Sequence, residues 1–325
     1  MRVLITGISG FVGPHLAEYL LSNHPEVELY GLRRWRSVEA NLPPSPILRV
    51  IEGDLLDQAS MLRALQASRP DLVFHLAASS SVASSWGTPA EVMQVNVLGT
   101  LNLLEAARQF DLDAPLVMAC SAEAYGQVTA AELPIREDQP FKPVSPYGVS
   151  KAAADMLGFQ YFEAFRLRTV RMRFFNHFGP GQPPRFVVAS LARQIAEIEA
   201  ELRPPHLRVG NLEARRDFVD VRDAAHAYWL AASKGEPGDA YNVASGHARS
   251  VREILDRLLT LTDAVVEVSF DPSRLRPAEL DVLEGDSERF RRATGWEPRI
   301  TFEQTLADTL DYWRKAVRRE SRPAE

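Results

Sequence analysis

Arg2-Val3-Leu4-Ile5-Thr6 runs directly into Gly7-Ile8-Ser9-Gly10-Phe11-Val12-Gly13 at the start of the chain. A short apolar run closed by glycines reads as a buried strand, and the helical spacing of residues 11–21 behind it reads as the first helix. The G-x-x-G-x-x-G string therefore falls between a strand and a helix. There, glycines permit a tight turn and let a pyrophosphate approach backbone N–H groups at the helix N-terminus. This position predicts a dinucleotide site at Gly7, Gly10, Phe11, Val12 and Gly13; the plain alternative is an ordinary strand–helix turn.

Outward from this turn the first half keeps alternating. Residues 28–32, 49–52, 72–76 and 116–120 read as further short apolar strands, and 169–174 as a sixth. Residues 58–67, 91–108 and 150–165 read as helices between or after them. Strands separated by helical patterns give right-handed crossovers and hence an α/β fold, a Rossmann doubly wound parallel sheet. After Phe174 the texture changes to Gly179-Pro180-Gly181-Gln182-Pro183-Pro184 loop chemistry. The short strands beyond it lie near 207–209, 240–243 and 265–269, and the helices at 221–233, 251–261 and 302–317. A nucleotide-binding domain is expected over 1–175 and a smaller α/β substrate domain over 176–325, with a return excursion to the first near 215–245. The tail from Arg318 is expected to fray.

The composition is that of an ordinary globular protein: 325 residues, 46% apolar and 25% charged. A net charge of −6 argues against non-specific nucleic-acid binding, which needs a basic face. No window is apolar enough to span a membrane and no leader pattern is visible, so the expected location is the cytoplasm. Cys120 is the lone cysteine, which excludes an internal disulfide and an all-Cys metal site. His177 has no second ligand-like residue nearby, so no metal is expected and a structural role outweighs a catalytic one.

The end of the second strand decides the cofactor. An NAD site places an acidic residue there for the ribose 2′-OH; this chain has Arg33-Arg34 instead. Arginine forks suit a 2′-phosphate, which predicts NADP(H), against the alternative of a solvated basic loop. Asp54 and Leu55 follow the third strand, where Asp54 is placed to accept from an adenine amino group. Leu76, Ala77 and Ala78 follow the fourth and allow close approach over small side chains.

Tyr147-Gly148-Val149-Ser150-Lys151 sets a phenol and an ammonium four residues apart, on one face of a helix started by Ser145-Pro146. The chain has only four lysines, so the spacing is informative. Ser121 closes the fifth strand, at the edge where such sheets bind ligands. Hydride transfer at a carbonyl carbon needs a proton moved at its oxygen. A free tyrosine titrates near about 10; Lys151 and an oxidised nicotinamide are expected to lower it. The competing reading is a structural surface pair.

These residues resemble those of extended short-chain dehydrogenases/reductases acting on nucleotide sugars. Three further strings are similar to the branch of GDP-mannose 4,6-dehydratases and GDP-4-keto-6-deoxymannose reductases: Arg173-Phe174-Phe175-Asn176-His177-Phe178-Gly179-Pro180-Gly181-Gln182, Val209-Gly210-Asn211-Leu212-Glu213 and Arg276-Pro277-Ala278-Glu279. The resemblance implies a GDP-sugar substrate, with Asn176 on the diphosphate, Arg216 and Arg276 neutralising it, and Glu279 accepting from ribose hydroxyls. It further implies substrate contacts from Val187, Arg193 and Asn211. A homodimer through helices 91–108 and 150–165 is implied as well, and the Arg33-Arg34…Ser37 loop resembles one that forms a tetramer.

Glu123 stands where the dehydratases carry their acid/base glutamate, but reductases carry one there too. Ala122 departs from the hydroxyl or acidic residue usual in dehydratases, and Gly179-Pro180-Gly181-Gln182 and residues 216–223 resemble the reductase. The preferred reading is NADPH-dependent reduction of GDP-4-keto-6-deoxy-D-mannose to GDP-D-rhamnose, with Ser121, Tyr147, Lys151 and Glu123 at the reacting centre. Dehydration, or epimerisation with a retained cofactor, is the alternative, and a non-catalytic NADP-binding redox sensor is the reading from outside enzymology.

Overall fold

A computed structural model describes residues 1–35 and 48–321. The first half supplies β1 (Arg2–Thr6), β2 (Glu28–Arg33), β3 (Leu48–Glu52), β4 (Leu72–His75), β5 (Leu116–Ser121) and β6 (Thr169–Phe174). The second adds β7 (Asn176–Phe178), β8 (His206–Val209), β9 (Arg215–Asp220), β10 (Ala240–Val243), β11 (Ala248–Ser250), β12 (Glu267–Phe270) and β13 (Val282–Leu283). The helices are α1 (Val12–Asn23), α2 (Gln58–Ser68), α3 (Val82–Ser85), α4 (Pro89–Met93), α5 (Gly99–Gln109) and α6 (Pro146–Phe165), then α7 (Val187–Glu199), α8 (Val221–Lys234), α9 (Val251–Leu259), α10 (Glu288–Thr294) and α11 (Phe302–Glu320).

Seven strands pair in parallel in the order β3-β2-β1-β4-β5-β6-β10. The order reverses between β1 and β4, which opens a crevice at their C-terminal ends. Alternation along β1 sends Val3 and Ile5 into one apolar layer and Leu4 into the other. The first layer packs against α1 and α8, the second against α2 and α5. A separate core joins α7, α9 and α11 over Leu207, Val209 and Phe218.

Several boundaries differ from the sequence reading. The chain returns to the large sheet with α8 and β10, whereas β9, inside the expected excursion, lies in a smaller sheet with β7, β11 and β13. The helix expected over 91–108 is interrupted: a π-helical turn over Gln94–Leu98 separates α4 from α5. Arg318 to Glu320 continue α11 rather than fraying, and Glu320 pairs with Arg193. Ser37 lies outside the described residues.

His75, at the end of β4, is buried between Thr6 Oγ1 at 2.9 Å on Nδ1 and Thr100 Oγ1 at 3.0 Å on Nε2. Burial, with Lys151 nearby, pushes its pKa down to about 3. The unfolded chain takes up this proton below about 6.5 and the folded one does not, so the contribution to stability is whole above that value and falls with acidification. The slope is about 1.4 kcal/mol per pH unit. Urea unfolding at a series of pH values should show this dependence reduced by one proton in His75→Gln; equal slopes would refute it.

Candidate active site

A cleft of about 1010 Å³ runs along the C-terminal ends of the parallel strands and between them and the second core. Its cofactor side begins at the glycine turn. Gly7 has φ +73°, and a Cβ on it would sit 2.7 Å from the Ala77 Cα; one on Gly13 would collide with the Ile8 carbonyl. The Phe11 N-cap supplies no side-chain acceptor and the first turn of α1 holds no carboxylate. Its leading N–H groups therefore face the cleft as donors for an anion. Gly10, Phe11, Val12, Asp54, Leu55, Leu76, Ala77 and Ala78 border the same space, as do Arg33 and Arg34. Arg33 reaches Glu52 at 3.6 Å, which places its guanidinium at the end of β2. This donor set fits a dinucleotide with an extra phosphate on the adenosine ribose.

At the centre of the cleft the end of β5 meets the start of α6. Ser145 caps α6 by accepting from Gly148 N at 3.0 Å, and Pro146 takes the first helical position. Ser121, Tyr147 and Lys151 are all buried and all border the cleft. Lys151 Nζ donates to the Ala119 carbonyl at 2.7 Å and lies 6.0 Å from the Tyr147 ring centroid. Burial pushes the Tyr147 phenol well above its ordinary value; the hydrogen bond with Ser121 works against this, while Glu123 and Cys120 add to it. Lys151 is not among the groups that set this shift; its ammonium, itself pushed down by burial, is held by a backbone carbonyl.

Glu123 follows Ser121 in a single tight turn whose N–H bonds Ser121 Oγ at 3.2 Å. Burial raises its carboxyl despite Arg216 and Arg276 nearby, and Glu279 raises it further. Arg216 is buried and donates to the Leu280 carbonyl at 2.7 Å and the Arg215 carbonyl at 2.9 Å. Burial lowers its pKa, partly offset by Glu123 and reinforced by Arg276. A buried cation spending its bonds on carbonyls favours an anionic ligand. Asn211 Nδ2 donates to Glu279 Oε2 at 2.8 Å, and both border the cleft with Asn176, Val187 and Arg276. His177 borders it too, stacked on Phe11 at 5.8 Å between centroids and pushed down to about 4 by burial, first of all.

Arg193 is the one proposed contact that the fold does not bring to the cleft. It projects from α7 onto the opposite side, pairing with Glu197 at 2.7 Å and Glu320 at 2.9 Å, with its guanidinium over Trp313. No cluster of three metal-ligating side chains occurs among the described residues.

A profile described as GDP-mannose 4,6 dehydratase matches residues 4–309. The chain belongs to this family. It is 39% identical to the GDP-6-deoxy-D-mannose reductase of Pseudomonas aeruginosa, over 98% of this chain and 99% of that protein. It is 33% identical to GDP-mannose 4,6 dehydratase 1 of Arabidopsis thaliana, over 98% of this chain and 91% of that one. Among solved structures it resembles RMD from Pseudomonas aeruginosa complexed with NADPH, with TM-score 0.85 and 38% identity, covering 97% of this chain and all of the other. The UDP-glucose 4-epimerase of Thermus thermophilus in complex with NAD gives TM-score 0.86 at 34% identity, with 97% of this chain and 100% of that chain covered.

Sequence reasoning missed one residue that organises this member of the GDP-mannose 4,6 dehydratase family. Asn96, in the π-helical turn, accepts from Ser79 N at 2.7 Å and donates to Ser79 O at 3.0 Å and Ser150 Oγ at 2.9 Å. It thereby ties the segment after β4 to the helix carrying Tyr147. Only a break in helical periodicity could have revealed it, and one extra residue in a turn barely disturbs an apolar pattern.

Proposed function

We propose that the protein is an NADPH-dependent reductase that converts the C4 ketone of GDP-4-keto-6-deoxy-D-mannose to the alcohol of GDP-D-rhamnose. The observation that carries this reading is the near full-length likeness, at 39% identity, to a GDP-6-deoxy-D-mannose reductase. Tyr147, a buried phenol at the centre of the cleft, supplies the proton donor that a net reduction needs.

Gly7, Gly10, Gly13 and the N-terminus of α1 hold the cofactor pyrophosphate, and Arg33 and Arg34 hold the 2′-phosphate. NADPH, when bound, supplies the hydride for the ketone carbon. Tyr147 transfers its proton to the C4 oxygen, Ser121 holds that oxygen by a hydrogen bond, and Lys151 stabilises the phenolate left behind. One proton then returns to Tyr147 from solvent per turnover. Arg216, Arg276 and Asn176 bind the diphosphate, while Glu279 and Asn211 accept and donate at the nucleotide ribose. Glu123 favours a second reading, GDP-mannose 4,6-dehydration, because a carboxyl two residues from Ser121 whose pKa burial raises suits acid/base work at a C6 hydroxyl.

The reading includes a homodimer through α5 and α6, on which Val149, Met156, Phe159 and Phe165 stand exposed together with Leu98 before α5. A reaction that consumes NADPH at every turnover also fits the cytoplasm, where that cofactor is regenerated.

Mixing the protein with NADPH and GDP-4-keto-6-deoxy-D-mannose should give sustained loss of reduced nicotinamide, stoichiometric with ketone over many turnovers. A flat trace from protein that binds NADPH would overturn the reductase reading. Formation of a 4-keto sugar from GDP-mannose would then establish dehydration.

A further inference from the structure

Arg274 closes a single 3₁₀ turn, Pro272–Arg274, that borders the cleft. The start of the turn is pinned. Asp271 N donates to the Val209 carbonyl at 2.8 Å, and Asp271 Oδ1 accepts from Ser273 N at 3.0 Å and Ser273 Oγ at 2.6 Å. Its end lies against the backbone after β8, where a Cβ on Gly210 would sit 3.0 Å from the Arg274 Cβ. From there Arg274 Nη1 donates to Ser190 Oγ on α7 at 3.2 Å. This is the one hydrogen bond that the guanidinium makes among the described residues. The carboxylate of Asp271 stands 3.7 Å from Nε, too far for another. The side chain is 37% exposed, so its remaining N–H groups are open to a ligand.

The contacts place this cation beyond the ribose end of the cleft. Arg216, Arg276 and Glu279 are the charged groups that act on Glu123, next to the reacting centre; Arg274 is not one of them. Arg274 instead abuts Gly210, and the next residue, Asn211, is bonded to Glu279 at 2.8 Å. Outward from Glu123 the order is Arg216 with Arg276, then Glu279 with Asn211, then Arg274 with Ser190. A nucleotide sugar laid along that order, with its diphosphate on the first pair and its ribose on the second, brings its base to the third. Leu191 follows Ser190 and Leu275 follows Arg274; both border the cleft, and Leu275 is 50% exposed. Apolar side chains thus stand ready for the faces of a flat ring, beside donors for its edge.

We propose that Arg274 is a base-selecting residue: its guanidinium donates to the O6 and N7 acceptors on one edge of guanine, and Ser190 orients it from α7. Two adjacent acceptors match an arginine fork. Adenine sets a donor beside N7, and uracil offers O4 beside a C–H, so neither returns both bonds. The inference rests on the GDP-sugar part of the proposed function and is independent of whether the sugar is reduced or dehydrated. It gives selection of the base to a group separate from the arginines on the diphosphate.

Calorimetric titration with NADPH saturating tests this on the unaltered protein first. GDP should bind about tenfold more tightly than 7-deaza-GDP, in which a C–H replaces N7. Arg274→Ala should weaken GDP by about tenfold or more, abolish its advantage over 7-deaza-GDP and leave the affinity for UDP unchanged. Arg274→Lys keeps the charge but not the fork, and should lose the same advantage. Wild-type protein that binds GDP and 7-deaza-GDP alike would overturn the inference and leave the GDP-sugar reading intact. So would an alanine variant that keeps the advantage, or one that loses GDP and UDP equally, which would put the arginine on the phosphates. Wild-type protein that binds UDP more tightly than GDP would remove the GDP-sugar reading and this inference together.

Discussion

Tyr147→Phe is expected to lower turnover by about 10²–10⁴-fold, the usual contribution of a positioned proton donor, while NADPH affinity is largely kept. The ring stays and continues to pack at the start of α6; only the phenolic O–H is lost. Without it the developing charge on the C4 oxygen has Ser121 alone to stabilise it. The pH profile supplies a second readout. The phenol must be protonated to act, so the wild-type rate should hold through neutral pH and fall only on the alkaline side. Burial pushes that fall above the ordinary tyrosine value of about 10. In the phenylalanine variant the remaining slow rate should lack this alkaline limb. A variant keeping more than about a tenth of wild-type turnover would make Tyr147 a binding group and hand the proton to another residue, with Glu123 the nearest alternative.

The contrast with the sequence reading is instructive at this same residue. Spacing placed Tyr147 and Lys151 on one helical face, as found, but the direction of the phenol's shift depends on how much water reaches it and on where the lysine head is held. Ala119 holds that head, and nothing in a linear string locates Ala119 relative to Lys151. The large sheet was legible because its inner strands are buried on both faces and read as short apolar runs; β10 is buried as they are, but its place beside β6 depends on a long-range pairing. Arg193 could have been corrected from the sequence. It lies six residues after Val187 on α7, about 1.7 turns, so the two side chains diverge. Ser190 and Leu191, three and four residues on, share the cleft with Val187 instead. Asn96 left at most a faint break in helical periodicity, since its π-helical turn and its bonds to Ser79 and Ser150 exist only once the chain is folded.

Asp155→Ala is expected to cost about 3–5 kcal/mol of stability, the effect of removing one partner from a buried ion pair. Asp155 is 1% exposed and lies one further turn along α6 from Lys151. Its Oδ1 accepts from Arg171 Nη1 at 2.7 Å and Arg173 Nη2 at 2.9 Å, and its Oδ2 from Arg173 Nε at 2.8 Å. Burial by itself would raise this carboxyl, but the Arg173 and Arg171 contacts outweigh it and hold it below the usual range. Alanine would leave two guanidinium groups in the interior with one counter-ion gone. Their remaining acceptors are neutral: the Gly238 carbonyl for Arg171, and the Glu137 carbonyl and Tyr125 hydroxyl for Arg173. Both arginines lie on β6, so the triad also sets how α6 sits over the sheet and hence where Tyr147 meets Ser121. Equilibrium unfolding in urea measures the cost, and a loss below about 1 kcal/mol would show that the neutral acceptors suffice. The sign with pH separates this triad from His75. A carboxylate held low contributes fully above its unfolded value of about 3.9 and is lost below it, whereas the His75 contribution starts to fall near about 6.5. Between those two values Asp155→Ala and the wild type should therefore lose stability in parallel, and only in stronger acid should the gap between them close.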